Sequence, residues 1–262
     1  MSNNTLINRI QLPGVRYALP SQGIFYTNGE LAEDVTNGEV EIFPMSSLDE
    51  LTFSSPDKLL SGQAISEVFE RCIPQIQKPL LLLTKDVDFL MVALRMVTFG
   101  NIMEVKHTHT CPDAKSHIHK ADLTNIIKLA KKIDPTTISN EYTVSLPNGQ
   151  QVKLKPMNYK TLLSLYESTL SQKTEDLTFE QMEFLISSTL ASVIDNVDDV
   201  TDNKQISEWI FALPLGWKKI IEEAINNISE WGVDFSVKSI CPDCNEEITI
   251  GVTANPVSFF FQ

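Results

Sequence analysis

Ile65, Val68, Phe69 and Cys72 recur at three- and four-residue intervals, so they share one helical face and predict a helix over Gln63–Cys72. Phe89, Leu90, Val92, Ala93, Met96 and Val97 predict a second helix with a broad buried face. Asp86 reads as its cap. Phe99-Gly100-Asn101 reads as its end, because glycine takes up the left-handed stop at little cost. Upstream, Ser47-Leu48-Asp49-Glu50 has the spacing of a capping box. The period then changes. Residues 102–110 and 116–120 read as two short strands around a turn, followed by a helix over about 121–133 that Pro135 stops. Tyr142–Leu146, Asn148-Gly149 and Gln151–Leu154 predict a hairpin, since Asn-Gly suits the positive φ of a tight turn.

Three more helices are expected, at about 158–170, 178–194 and 207–231, the last broken near Pro214-Leu215-Gly216. Thr178-Phe179-Glu180-Gln181 is a second capping box. Residues 195–202 form an acidic stretch that lacks the spacing and glycine of an EF-hand and read as a solvated loop. Strands over 234–240 and 247–252 lead to an apolar tail ending in Phe259, Phe260 and Phe261. The first 45 residues look extended, with Pro13-Gly14, Pro20, Gly23, Asn28-Gly29 and Asn37-Gly38 as punctuation. They predict a small β hairpin preceded by an arm, which either lies on a neighbouring subunit or is a loose terminus.

The chain has 262 residues, enough for one large domain or two modest ones. Its net charge of −13 repels phosphate backbones, so nucleic acid is not expected as a partner. The densest basic run, Lys128, Lys131 and Lys132, reads as the solvated end of a helix. The opening Met-Ser-Asn-Asn-Thr is not a signal peptide, and the apolar run Pro79–Leu83 is too short to span a bilayer. A protein that is not secreted and has no membrane segment meets a reducing compartment. Its four cysteines are then expected as thiols or metal ligands and not as disulfides.

Cys241-Pro242-Asp243-Cys244 lies between two strand-like segments, where a turn can aim two thiolates at one metal ion. A redox pair would instead open a helix after a strand. Cys-Pro-Asp recurs at Cys111, but Ala114 stands where a second cysteine would complete that knuckle. All four histidines fall between positions 107 and 119, and imidazole is the usual replacement for thiolate at zinc. The expected ligands of a structural zinc ion are therefore Cys111, His117, Cys241 and Cys244, with His109 and then His119 as alternates to His117. His107 shares a face with His109. Three thiolates and one imidazole close a tetrahedron, which holds a fold together and leaves no position for water. Cys72, on an apolar helical face, reads as core.

The expected fold is α+β. An arm and hairpin occupy residues 1–45, and a helical body with a zinc-ribbon-like β element occupies 46–134 with 232–262. A hairpin-plus-helices lobe, 135–231, is inserted between the ribbon's halves. The deaminase pairing of histidine and glutamate with Pro-Cys-x-x-Cys, the HExxH motif, the phosphate-cradling glycine loop and the nucleophile elbow are all missing from the sequence, so an enzyme is not expected. The alternative is a zinc-dependent hydrolytic enzyme or a zinc-ribbon adaptor.

Leu19-Pro20-Ser21-Gln22-Gly23-Ile24-Phe25-Tyr26, the run from Val40 to Glu50, Asp57 to Ile65, and Asp86 to Gly100 with its Leu94-Arg95-Met96-Val97-Thr98-Phe99-Gly100 core resemble the baseplate hub and hub assembly proteins of T-even-type contractile-tailed phages. In that family two Cys-Pro-x-Cys knuckles flank a central insert, and the chain ends near an apolar aromatic tail. Ala114 departs from the pattern. The resemblance implies a non-enzymatic part in building the hub, in the virion tail baseplate or in the host cytoplasm during assembly. Its partners would be other baseplate or hub proteins. The N-terminal arm and Phe259, Phe260 and Phe261 are candidate docking groups, with packing of the three phenylalanines on the protein's own core as the competing reading, and Arg95 reads as a buried ion-pair partner.

Overall fold

A computed structural model describes residues 13–111, 115–136, 138, 142–171, 179–252, 259 and 260. Helices alternate with small antiparallel sheets, an α+β arrangement. The chain divides into two units, one formed by Met1–Pro79, Lys85–Ala130 and Gly232–Gln262, the other by Leu80–Thr84 and Lys131–Trp231. No helix among the described residues is long and apolar enough to cross a membrane.

In the first unit β1 (Val15–Ala18) pairs antiparallel with β2 (Glu39–Ile42), with Val15 opposite Ile42. Val40 and Ile42 are buried and alternate with Glu39 and Glu41, as a half-buried strand requires. Gly38 is obligatory beside this ribbon: its φ is +66°, and a Cβ there would lie 2.7 Å from the carbonyl carbon of Gln22.

Helices α1 (Ser47–Phe53), α2 (Pro56–Leu60) and α3 (Gln63–Cys72) follow. The capping residue of α1 is Ser46, one position before the expected Ser47, and its acid is Asp49 and not Glu50. Both the amide and the hydroxyl of Ser46 donate to Asp49 Oδ2, at 2.8 and 2.6 Å. Asp49 wins because it faces inward, where Arg71 of α3 also donates to it. Helix α4 (Thr84–Phe99) starts before Asp86, which therefore does not cap it. Asp86 is buried in its first turn and accepts from the Ser21 amide at 3.0 Å and from the Tyr26 hydroxyl. Gly100 ends α4 as expected, with φ +88° and its amide on Met96 O.

Strands β3 (Ile102–Thr108) and β4 (Ser116–Asp122) form a hairpin with Val105 opposite His119 and His107 opposite His117. The helix expected over 121–133 is only α5 (Leu123–Lys128). Ala121 and Asp122 stay in the ladder opposite Met103 and Ile102, and the Asp122 carboxylate accepts from the Thr124 amide at 2.9 Å as the cap. A second hairpin joins β8 (Ser236–Ile240) to β9 (Glu247–Gly251).

Phe259 and Phe260 are buried in this unit. The Phe260 ring stacks on Phe53 with centroids 4.9 Å apart, and Arg95 Nε donates to Phe259 O at 2.9 Å. Both phenylalanines are thus spent on the protein's own core, which removes them as docking anchors. Arg95 holds the tail and lies 4.7 Å over the Phe99 ring, in place of the expected ion pair. Phe261 and the arm at residues 1–12 lie outside the described residues.

The second unit contains a three-stranded antiparallel sheet, β5 (Thr143–Ser145), β6 (Gln151–Leu154) and β7 (Ile194–Val197), in that order. Strand β7 corrects the reading of 195–202 as loop for its first three residues, while 198–202 remain outside any strand or helix. Ile194 and Val197 are buried at its ends, and Lys153 on β6 reaches Asp195 at 3.5 Å. Helix α6 spans Tyr159–Ser171, α7 Phe179–Ser192, α8 Asn203–Ala212 and α9 Leu215–Ile228. Asp202 caps α8, which starts four residues ahead of the expected Ser207, and the expected break falls at Leu213-Pro214. The capping box at Thr178 lies outside the described residues.

Candidate metal centre

Side-chain parity brings the site together. In β3 Met103 and Val105 are buried between exposed neighbours, and His107 and His109 continue that phase. In β8 Val237 and Ser239 are the more buried positions, and Cys241, next in phase, is buried. The turn beyond Cys241 is closed by its amide donating to Glu246 O and by the Asn245 amide donating to Cys241 O, each at 2.9 Å. Asn245 takes the left-handed conformation, φ +57°, that turns the chain back. Cys244 is thereby returned to the same side as Cys241.

One ligand atom from each of His109, Cys111, Cys241 and Cys244 lies within 4.8 Å of all the others. His109 Nδ1 is 3.5 Å from Cys244 Sγ, although 135 residues separate them. Around a tetrahedral zinc ion, sulfur–nitrogen edges are about 3.6 Å and sulfur–sulfur edges about 3.8 Å. The four donors thus have the spacing and the chemistry to share one metal ion. The amides of Cys244 and Asp243 donate to Cys241 Sγ and bring its pKa down to about 7. Burial, reinforced by the neighbouring Cys241 and Cys244, pushes the Cys111 thiol up to about 11. Three thiolates this close repel one another, and a bound cation is what lets all of them ionise together.

Of the expected ligands, Cys111, Cys241 and Cys244 are brought together, and the histidine that joins them is His109. His117, the favoured fourth ligand, has Nε2 2.7 Å from Asp243 Oδ2, a carboxylate that also accepts from the Lys115 amide at 3.3 Å. The hydrogen bond from His117 holds Asp243 below the usual carboxylate range. His119 is buried with Nδ1 2.9 Å from Ser239 Oγ. His107 stands opposite His117 and meets the edge of the His119 ring at 6.2 Å. The return strand therefore spends its histidines on polar side chains of the other hairpin, leaving the incoming strand to supply imidazole to the sulfurs. Ala114 lies outside the described residues.

Sequence reasoning missed Asp243 and Ser239 as partners in this junction. Both carried a signal: Asp243 lies inside the knuckle, and Ser239 is in phase with Cys241. Cys72 is away from the cluster, buried on α3, and burial pushes its thiol up to about 12.

A family model described as T4 bacteriophage base plate protein matches residues 33–261, a span that includes both hairpins. No curated protein and no solved structure gives a match.

Proposed function

The chain belongs to the family of T4 bacteriophage base plate proteins, and from that premise we propose that it is a non-enzymatic component of the baseplate hub, structural or assembling, built around one structural zinc ion on His109, Cys111, Cys241 and Cys244. Membership makes it a phage baseplate structural protein, located in the virion tail and in contact with other baseplate proteins. The observation that carries the zinc assignment is the gathering of three sulfurs and one imidazole from two hairpins distant in sequence.

Thiolate and imidazole in a tetrahedral set select zinc among the common divalent ions. Cys241 and Cys244 hold it from the β8–β9 turn, while His109 and Cys111 hold it from the β3–β4 connection. With four protein donors the ion has no open position, so its contribution is to folding, on the order of 10 kcal/mol. It clasps the hairpins into a rigid element, a suitable base for surfaces that dock on other subunits. His117 with Asp243 and His119 with Ser239 brace the same junction without touching the ion.

Elemental analysis of the purified chain tests the site. One zinc per chain is expected, lost together with thermal stability in His109→Ala and Cys241→Ser and retained in His117→Ala. Full zinc content in His109→Ala would overturn the ligand assignment. Electron microscopy of particles assembled without this chain tests the hub role. Tails with incomplete hubs are expected, and complete, infectious particles would refute it.

A further inference from the structure

Helix α1 sends Phe53 to the core but leaves both of its leucines in water. A surface helix normally sends its leucines to the core and its polar groups to water. Here Asp49, Thr52 and Phe53 are buried, whereas Leu48 and Leu51 are 60% and 70% exposed. Polar chemistry holds this rotation in place. Asp49 takes the amide and hydroxyl of Ser46 on one side and Arg71 Nε on the other. The Thr52 hydroxyl donates to Leu48 O at 2.9 Å and lies 3.4 Å from Arg71 Nη2. The inward-facing side of α1 is thus committed to Phe53, a capping box and an ion pair. Leu48 and Leu51, three residues apart, lie side by side on the outward face. Leu60, on the adjacent α2, is 54% exposed as well.

The charges beside these leucines indicate what can cover them. Asp57 is exposed and Glu50 half-exposed, while the nearby Lys58 is held by Glu67 at 2.9 Å. The chain as a whole carries −13. A second copy would bring the same acids face to face and be repelled, whereas a surface edged with lysine or arginine would be attracted.

We propose that Leu48, Leu51 and Leu60 form a docking face for a different baseplate protein, one that offers an apolar groove bordered by basic side chains. The leucines supply the desolvated centre of the contact, and Glu50 and Asp57 supply its charged rim. The assignment rests on the baseplate reading and adds to it the place of contact and the chemistry of the partner.

The test titrates the zinc-loaded full chain against each of the other baseplate proteins of the same phage, purified singly. Calorimetry gives the affinity, and hydrogen exchange follows residues 47–60. The variant Leu48→Ser with Leu51→Ser changes only exposed side chains, and its melting temperature serves as the control for folding. One partner is expected to bind, to protect 47–60 from exchange, to bind more weakly as salt is raised, and to lose about tenfold or more in affinity with the variant. Equal affinity of the variant and the wild type overturns the docking face and leaves the baseplate reading standing. Failure of every baseplate protein to bind the wild-type chain counts against that reading itself, and the docking face falls with it. Self-association of the chain that the double substitution abolishes would overturn the choice of a different protein as occupant.

Discussion

Asp86 lies in the first turn of α4 with no exposed surface, tying the Ser21–Tyr26 segment to the helix. Burial pushes its pKa up to about 6, against the lowering effect of the hydrogen bonds from Ser21 and Tyr26. A carboxyl with a native pKa above its unfolded value binds its proton more tightly in the fold. Its stabilising contribution is therefore complete below about pH 4 and is lost as the pH rises through about 6. Asp86→Asn removes the titration and keeps one acceptor, for the Ser21 amide, while its amino group faces the Tyr26 oxygen as a donor. Between pH 4 and pH 7 the variant should gain about 3 kcal/mol relative to the wild type in urea unfolding. A stability difference that stays constant across that range would show that Asp86 titrates normally. The sequence marked Asp86 as a cap because it stands just ahead of an apolar run. Its real role depends on Ser21 and Tyr26, which no local window contains.

Among the elements, α3 and the β5–β6 hairpin formed where their periods and turn residues placed them, because each is stabilised by contacts within a few positions. Strand β7 was illegible for the opposite reason. Four residues carry too little periodicity, and their strand character comes from pairing with β6. The capping box of α1 was visible as a motif but slipped by one residue, since Ser46–Asp49 and Ser47–Glu50 have the same spacing and only Arg71 distinguishes them. Burial alone would raise the pKa of Asp49, but Ser46 and Arg71 outweigh it and hold the carboxyl below its ordinary value. Its stabilisation is thus present above about pH 4 and fades as the pH falls through the lower native pKa. Asp49→Ala removes the cap and leaves Arg71 its longer contact to Glu67 at 3.8 Å, and should cost about 2–3 kcal/mol near neutral pH, less in acid, by urea unfolding. A loss that does not shrink on acidification would contradict this account.

The first unit as a whole is closed by contacts between distant parts of the chain. Arg95 reaches Phe259 O across 164 residues, and the Phe260 ring completes a stack begun by Phe53. Phe260→Ala should lower stability by about 3–5 kcal/mol in denaturant titration, the cost of emptying a buried aromatic site. A change below about 1 kcal/mol would mean that the ring is not part of the core. The gathering of His109, Cys111, Cys241 and Cys244 is the other long-range closure. Chelation of the wild-type protein should lower its melting temperature, and readdition of zinc should restore it. Indifference to chelator would remove the clasp from the account of this unit.

Local chemistry was already readable along the chain. It marked the helices with strong period, the Asn-Gly turn, the Cys-x-x-Cys knuckle and the concentration of histidines near Cys111, because each depends on neighbours a few residues away. The partner of each buried polar group was not readable in this way. By spacing alone His109 ranks behind His117, nothing local sets Leu48 and Leu51 apart, and Phe259 and Phe260 suit a docking tail and the protein's own core alike. In every such case the outcome depends on distances between segments far apart in sequence: sulfur to imidazole, carboxylate to guanidinium, ring to ring. Folding sets those distances, and neither composition nor period encodes them.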